Sequence, residues 1–248
     1  MLYKLGADAL YFKVYGFNLP LLFEPGEGWH YGCGMDWAGK IVERTNPERL
    51  KLGDYMKKYI FDPLGMKSMT FSLLSPEDIR SRIPKLAVRM EDNGISTLAA
   101  VWPEDPPDDC GGVGLYGSAE DFMKLLEMLL QKNGEVLHPE TIERLFTPQP
   151  SESRYFTRFM SDRMLQATMG VPLHIPCQWA FGGLVTSDLI EGRREAGAVC
   201  WGGLPNIKWW IDFKRGICGL YTSQVFPPFD VISNSLFTQF EEDVYSKL

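Results

Sequence analysis

The apolar periodicity of this chain changes near Cys177, and that change constrains the fold more than any other feature of the sequence. Before it, apolar residues recur at helical spacing. Asp36 to Thr45 carries Trp37, Ala38, Ile41 and Val42 as one stripe, with an acid in its first turn. Asp54 to Phe61 repeats the pattern with Tyr55, Met56, Tyr59 and Ile60, and Asp62-Pro63 stops it. Ser118-x-x-Asp121 is a capping-box-like start for a helix whose Phe122, Leu125, Leu126 and Leu129 run on to Gly134, and Pro139 opens another. After Cys177 the runs "QWAFGGLVTSD", "EAGAVCWGG", "IKWWIDF" and "ICGLYTSQV" are short and rich in Val, Ile, Trp, Tyr and Phe. Gly, Pro or charged turns separate them at hairpin spacing. A last helix is expected over Asp230 to Lys247, with Ile232, Leu236, Phe240 and Val244 on one face. Helices first, then an antiparallel meander, then a covering helix describe an α+β protein rather than an alternating βαβ one.

The pattern predicts one domain over residues 1-248, in which 36-150 is mainly helical and 175-248 forms an antiparallel sheet and terminal helix. Arg89 to Gly112, rich in Asp, Pro and Gly, reads as a long excursion, with Glu104 to Asp109 solvated. A formal charge of -7 and the lack of a Lys/Arg run argue against nucleic acid as a partner. Five widely spaced cysteines without a Cys-x-x-Cys pair fit free thiols in a reducing compartment. With His30, His138 and His174 as the only histidines, neither a metal centre nor another cofactor is expected. No segment reaches the roughly 18 apolar residues of a membrane span, and Met1 to Pro20 lacks the layout of a signal peptide. These features read as a cytoplasmic protein that does not enter membranes.

The stretch "WHYGCGMDWAGK", Trp29 to Lys40, follows the turn signal Glu24-Pro25-Gly26-Glu27-Gly28. It places Tyr31 between glycine-rich turns with a helix directly behind, a way of aiming a side chain from a rigid support. A half-buried loop tyrosine with a satisfied hydroxyl is the alternative.

Several stretches together resemble the serine β-lactamase-like (penicillin-recognising) superfamily: "FEPGEGWHYG" with "DWAGKIVE", "YIFDPLGMKSMTF", "GGVGLYGSAEDFMKLLEMLL", "WAFGGL" and "VCWGGLPNIKWWID". They are most similar to its esterase and transesterase branch, in particular to fungal polyketide acyltransferases of the lovastatin type. The resemblance covers Leu21 to the C-terminus and implies a β-lactamase/transpeptidase-like fold. It also implies transfer of a small acyl group from a thioester or ester to an alcohol through an acyl-serine. Carboxylester hydrolysis on the same fold is the alternative, and the partners implied are a small-molecule acyl donor and an alcohol acceptor. By the same resemblance Tyr31 is the proton-relay tyrosine. Trp201, Gly202 and Gly203 are the strand that lines the substrate, and the backbone N–H of Leu204 completes the oxyanion hole.

The family's Ser-x-x-Lys nucleophile has no counterpart, since no Ser or Thr of the chain has a Lys three residues on, and Ser81 to Lys85 has the wrong spacing. Relatives carry that motif on the order of a hundred residues before the tyrosine, so the sequence reads as an N-terminally incomplete member, lacking the first strands and the nucleophile helix. A non-catalytic remnant is accordingly a second reading. Trp201 stands where lactamases have a lysine, and Cys33 where they have the Asn of Tyr-x-Asn, a residue whose paired donor and acceptor a thiol cannot supply. Cys33 reads as an inert thiol, His138 as the neighbour of a helix start, and His174 as lining a cleft or packing. Gly111 and Gly112 are expected to shape the floor of the site.

Overall fold

The computed structural model describes residues 13–18, 20–28, 31–74, 77–149 and 169–248. The chain divides into two units, Met1–Ile83 with Ala100–Lys124, and Pro84–Ala99 with Leu125–Leu248.

In the first unit α1 (Gly34–Thr45) is followed by α2 (Leu52–Met56), which widens into a π turn over Lys57–Phe61 before Asp62-Pro63 ends it. A short α3 (Glu77–Arg82) comes later. The expected α1 stripe is only partly the packed one. Asp36 and Gly39 are buried, whereas Ala38 is exposed and Ile41 is 61% exposed. Polar anchors set this rotation. Asp36 Oδ1 accepts the Gly112 N–H at 2.9 Å, and Lys40 Nζ donates to Asp108 Oδ1 at 2.7 Å and Glu43 Oε2 at 2.8 Å.

The acid-rich stretch is exposed at Glu104, Asp105 and Pro107, as expected of a solvated loop, but its acids also act as tethers. Asp108 Oδ2 also accepts from Val14 N at 3.0 Å, and Asp109 Oδ2 accepts from Gly53 N at 2.9 Å. Asp105 Oδ1 takes the Ser72 hydroxyl at 2.7 Å, and Glu104 pairs with Arg80. Short acidic side chains reach backbone N–H groups that the neighbouring turns leave unpaired, so acidity here marks acceptors as much as solvation.

In the second unit a five-stranded antiparallel sheet has the order β3 (Cys177–Ala180), β4 (Gly183–Thr186), β5 (Val199–Gly203), β6 (Ile207–Asp212), β7 (Ile217–Tyr221). A smaller sheet joins β1 (Ala87–Arg89) and β2 (Ile95–Thr97) as a hairpin, with β8 (Val225–Phe226) parallel to β1. Part of the expected excursion is therefore strand. Helix α4 (Ala119–Gln131), whose Ser118 hydroxyl accepts from Asp121 N, and α5 (Pro139–Phe146) begin at the expected caps.

The terminal helix, α6 (Val231–Tyr245), forms as expected but buries a different face. Ser233, Phe237 and Glu241 are inside, while Leu236 is 52% and Phe240 41% exposed. An acid rather than an apolar residue decides the rotation. Glu241 is fully buried and takes Arg194 through both oxygens, with Arg194 Nη2 at 2.9 Å from Oε2, and Arg193 Nη1 at 3.2 Å. The same two guanidinium groups donate to Met169 O at 2.9 Å and Gly170 O at 2.8 Å. Around this group pack Met169, Val171, Ile175, Leu184, Ile190, Cys200, Trp210 and Phe237. Gly219 of β7 is required by that packing, because a Cβ there would lie 2.1 Å from Trp210 Cη2.

At the start of α6, Asp230 accepts the Ser233 N–H and hydroxyl, each at 2.8 Å, and the Arg89 guanidinium from β1. Arg89 and the cap together hold the Asp230 carboxyl down at about 2. Lys208 of β6 is the opposite case. It is 1% exposed, its Nζ has no hydrogen-bond partner among the described residues, and it sits 5.4 Å from the Tyr221 ring centroid and 5.5 Å from that of Phe237. Burial pulls its amine down to about 8, against the raising effect of Asp230.

Two outcomes follow for stability. Glu241→Gln leaves two buried guanidinium groups uncompensated and should cost about 3–5 kcal/mol in urea unfolding. Lys208 holds its proton to about 8 when folded but to about 10.5 when unfolded. Between those values the unfolded chain binds more protons, so stability should rise with pH through this window, and below it the whole penalty is present. Lys208→Met should therefore stabilise the chain at pH 7 and flatten the rise. An unchanged slope between pH 8 and 10 would show that the lysine is not the group titrating.

Candidate active site

Tyr31 lies in the loop before α1 and is 48% exposed. Two residues on, Cys33 occupies the N-cap position of α1 without a side-chain bond, and its carbonyl accepts from Asp36 N at 3.1 Å and Trp37 N at 3.2 Å. The helix behind the tyrosine is held by the Asp36–Gly112 hydrogen bond, which ties its first turn to the Gly111-Gly112 loop. Burial pushes the Asp36 carboxyl above the ordinary carboxylate range, while the Gly112 N–H works to lower it. Sequence reasoning gave Asp36 only a helix-dipole role, and its burial depends on a contact with a residue far along the chain. His30 lies outside the described residues.

In the second unit Trp201, Gly202 and Gly203 form the end of β5, and Leu204 opens the turn into β6. Trp201 and Gly202 are partly buried, whereas Gly203 is exposed and Leu204 is 47% exposed. The two glycines differ in what they permit. A Cβ on Gly202 would lie 2.1 Å from the Ile207 carbonyl oxygen and 3.0 Å from Met169 Cε, so its small size serves the chain's own packing. A Cβ on Gly203 would meet only Ile207 and Pro205 at 3.7–3.8 Å, ordinary contact distances. Among the described residues a methyl group at Gly203 would displace no neighbour.

Trp201 packs against Trp179 of β3 edge to face, with ring centroids 4.7 Å apart and planes at 90°. This pair makes an apolar aromatic corner beside the strand end. Trp179 stands in a strand run and in the family stretch "WAFGGL", but its pairing with Trp201 is not encoded in local spacing. Asn206 and Ser223 were likewise not singled out. Asn206 sits in the turn at φ 56 and donates through Nδ2 to Val225 O at 2.7 Å and Pro227 O at 2.9 Å. Ser223 Oγ donates to Pro205 O at 3.0 Å.

The remaining nucleophile-type groups are quiet. Burial pushes the Cys110 and Cys177 thiols up to about 12 and Cys218 up to about 11. His138 caps α5 by position without a side-chain bond, and His174 is exposed ahead of β3. The structure thus assembles Trp201, Gly202, Gly203 and Leu204 on one strand end of the second unit, and places Tyr31 in the loop ahead of α1 in the first.

The beta-lactamase family profile matches residues 8–238. The chain is 32% identical over 92% of its length to ML-236A carboxylate methylbutanoyltransferase of Penicillium citrinum, and 32% identical over 93% to lovastatin esterase of Penicillium rubens. It spans 56% and 59% of the length of these two relatives. Among solved structures, unliganded simvastatin synthase from Aspergillus terreus superposes with a TM-score of 0.86 at 30% identity, over 92% of this chain and 58% of that one. Helices, an antiparallel sheet and a terminal helix in this order are that fold, and the chain belongs to the beta-lactamase family.

Proposed function

We propose that this chain provides the tyrosine and the oxyanion strand of a serine-type acyltransferase, one that moves a small acyl group from a thioester or ester to an alcohol. The observation that carries the reading is the end of β5: an aromatic wall at Trp201, an exposed Gly203 where a methyl would displace no described neighbour, and an exposed turn beginning at Leu204. In a polypeptide that also supplies Ser-x-x-Lys, the serine attacks the acyl carbonyl, and the developing oxyanion is met by the Leu204 N–H. Tyr31 passes the proton from the serine to the leaving group, and in reverse from the incoming alcohol. The apolar corner at Trp201 and Trp179 favours an uncharged, apolar acyl group, because among the described residues of β5 and its turn none is a cation that could hold a carboxylate.

Hydrolysis is the second reading, favoured by the equal 32% identity to a lovastatin esterase. The two differ only in whether water or an alcohol meets the acyl-enzyme. The substrates are small molecules in either case. We place the protein in the cytoplasm, in keeping with five free cysteines. No helix of the described residues is long and apolar enough to cross a membrane.

Activity assays separate these readings from a non-catalytic remnant. By itself the 248-residue chain should show no serine labelled by a fluorophosphonate and no turnover of p-nitrophenyl butyrate, since it encodes no Ser-x-x-Lys. Joined behind a segment carrying that motif it should turn the ester over, and Tyr31→Phe should lower kcat about 10²–10⁴-fold with little effect on the fold. Stoichiometric labelling of the chain alone, or an unchanged kcat in Tyr31→Phe, would overturn the assignment.

The two glycines give a second, structural test. Gly202→Ala should destabilise the chain, because its methyl meets backbone. Gly203→Ala should leave stability within about 0.5 kcal/mol but raise KM for the ester in the joined protein. Equal KM in Gly203→Ala would mean that the substrate does not pass over this strand end.

A further inference from the structure

The turn that presents the Leu204 N–H is only three residues long, Leu204 to Asn206, between the ends of β5 and β6. Three-residue hairpins commonly close with their last residue in the left-handed region, and Asn206 takes that place at φ 56. The two halves of the turn are unlike. Leu204 is exposed, and among the described residues its N–H has no backbone acceptor. Pro205 and Asn206 are buried.

What holds the buried half is a pair of side-chain tethers. Asn206 Nδ2 spends both protons on carbonyls at the β8 end, Val225 O at 2.7 Å and Pro227 O at 2.9 Å. Ser223 Oγ reaches Pro205 O at 3.0 Å and Asn206 O at 3.4 Å. The hairpin tip of the five-stranded sheet is thereby pinned to the edge of the three-stranded one. Asn206 Oδ1, by contrast, is buried with no partner among the described residues. A buried orphan acceptor is costly, so the amide is retained here for its two donors and for its tolerance of positive φ. Aspartate would place two acceptors against two carbonyls, and glycine would keep the backbone shape while losing both tethers.

We propose that Asn206 is a positioning residue: by tying the buried half of the turn to Val225 and Pro227, it fixes the direction in which the exposed Leu204 N–H points. The proposal rests on the acyl-transfer reading for its catalytic consequence but not for its structural content. A backbone N–H carries no rotamer of its own, so its aim is that of the peptide plane, and the plane of a short turn is set by whatever anchors the turn. An oxyanion donor is useful only when aimed at the charge before it develops. Asn206 touches no reacting atom, and its effect passes through the backbone of Pro205.

The structural half is tested in the 248-residue chain by ¹⁵N relaxation. The Leu204 amide should be ordered in the parent, with S² near ~0.85, and should fall below about 0.6 in Asn206→Gly while amides in the middle of β6 stay rigid. Ser223→Ala, which removes the second tether with less risk to folding, should loosen Leu204 in the same direction. A Leu204 amide as ordered in both variants as in the parent would overturn the proposal.

The catalytic half uses the chain joined to a Ser-x-x-Lys segment, with p-nitrophenyl butyrate as substrate. Asn206→Gly should lower kcat about tenfold or more and leave KM within about twofold, the pattern of a donor that matters only in the transition state. An unchanged kcat, or a loss carried by KM alone, would overturn it. If the joined parent itself fails to turn over the ester, the acyl-transfer reading falls, and the relaxation experiment still decides whether Asn206 aims the turn.

Discussion

The second unit depends on one buried carboxylate. Glu241 is enclosed by Arg193 and Arg194, and its position on α6 dictates which side of that helix meets the sheet. A buried ion pair adds little net stability over an apolar contact of equal volume, because desolvation consumes most of the Coulombic gain. It does exclude alternatives. Rotating α6 by one residue to bury Leu236 and Phe240 would expose Phe237 and strand two guanidinium groups in an apolar layer. The pair therefore specifies register more than it stabilises, and the cost of any other rotation falls on the arginines. With the rotation set, Phe237 lands against Trp210, and Trp210 in turn leaves room only for glycine at 219.

The same logic of anchoring recurs where the chemistry is placed. On α1 the anchors are Asp36 and Lys40, which hold the helix behind Tyr31 to the Gly112 and Asp108 segments. On the β5–β6 hairpin they are Asn206 and Ser223. In both places a polar side chain bonded to distant backbone or to an acid immobilises a short element, and the group left exposed is the one proposed to act. Loops carry function when the scaffold beneath them is rigid, and here that rigidity comes from buried polar tethers rather than from apolar packing.

What the sequence displayed, and what it hid, divides along this line. Local periodicity and cap chemistry located α1, α4, α5, α6 and the meander from Cys177, because these depend on neighbours within a turn or a strand. The motif order around "DWAG" and "CWGG" pointed to the family and to the strand end. Long-range partnerships were not legible. Arg194 with Glu241 spans 47 residues and Lys40 with Asp108 spans 68, so nothing in a window around either residue reveals the other. That is why the apolar stripe on α6 misled. Ile232, Leu236, Phe240 and Val244 form a good helical row, but a buried acid on the adjacent row outweighed it. It is also why Glu104 to Asp109 read as solvated only and not also as tethers, and why Asn206 passed as an ordinary turn residue.

Period-two alternation also settles a question of charge near the proposed site. Lactamases carry a lysine where this chain has Trp201, and a lysine does lie close by, on the adjacent strand at 208. It cannot substitute. Lys208 pairs across the ladder with Gly202, whereas Trp201 pairs with Trp209, so Lys208 and Trp201 project from opposite faces of the sheet. Lys208 is driven into the layer under α6, where it lies against Tyr221 and Phe237. Moving it to the Trp201 side would need a one-residue slip of β6, which would also carry Trp210 out of the core. The strand end is thus apolar by register as well as by composition. On the acyl-transfer proposal, an acyl group arriving there would meet the paired rings of Trp201 and Trp179, with no ammonium group among the described residues of these strands on that face to reward a negative charge.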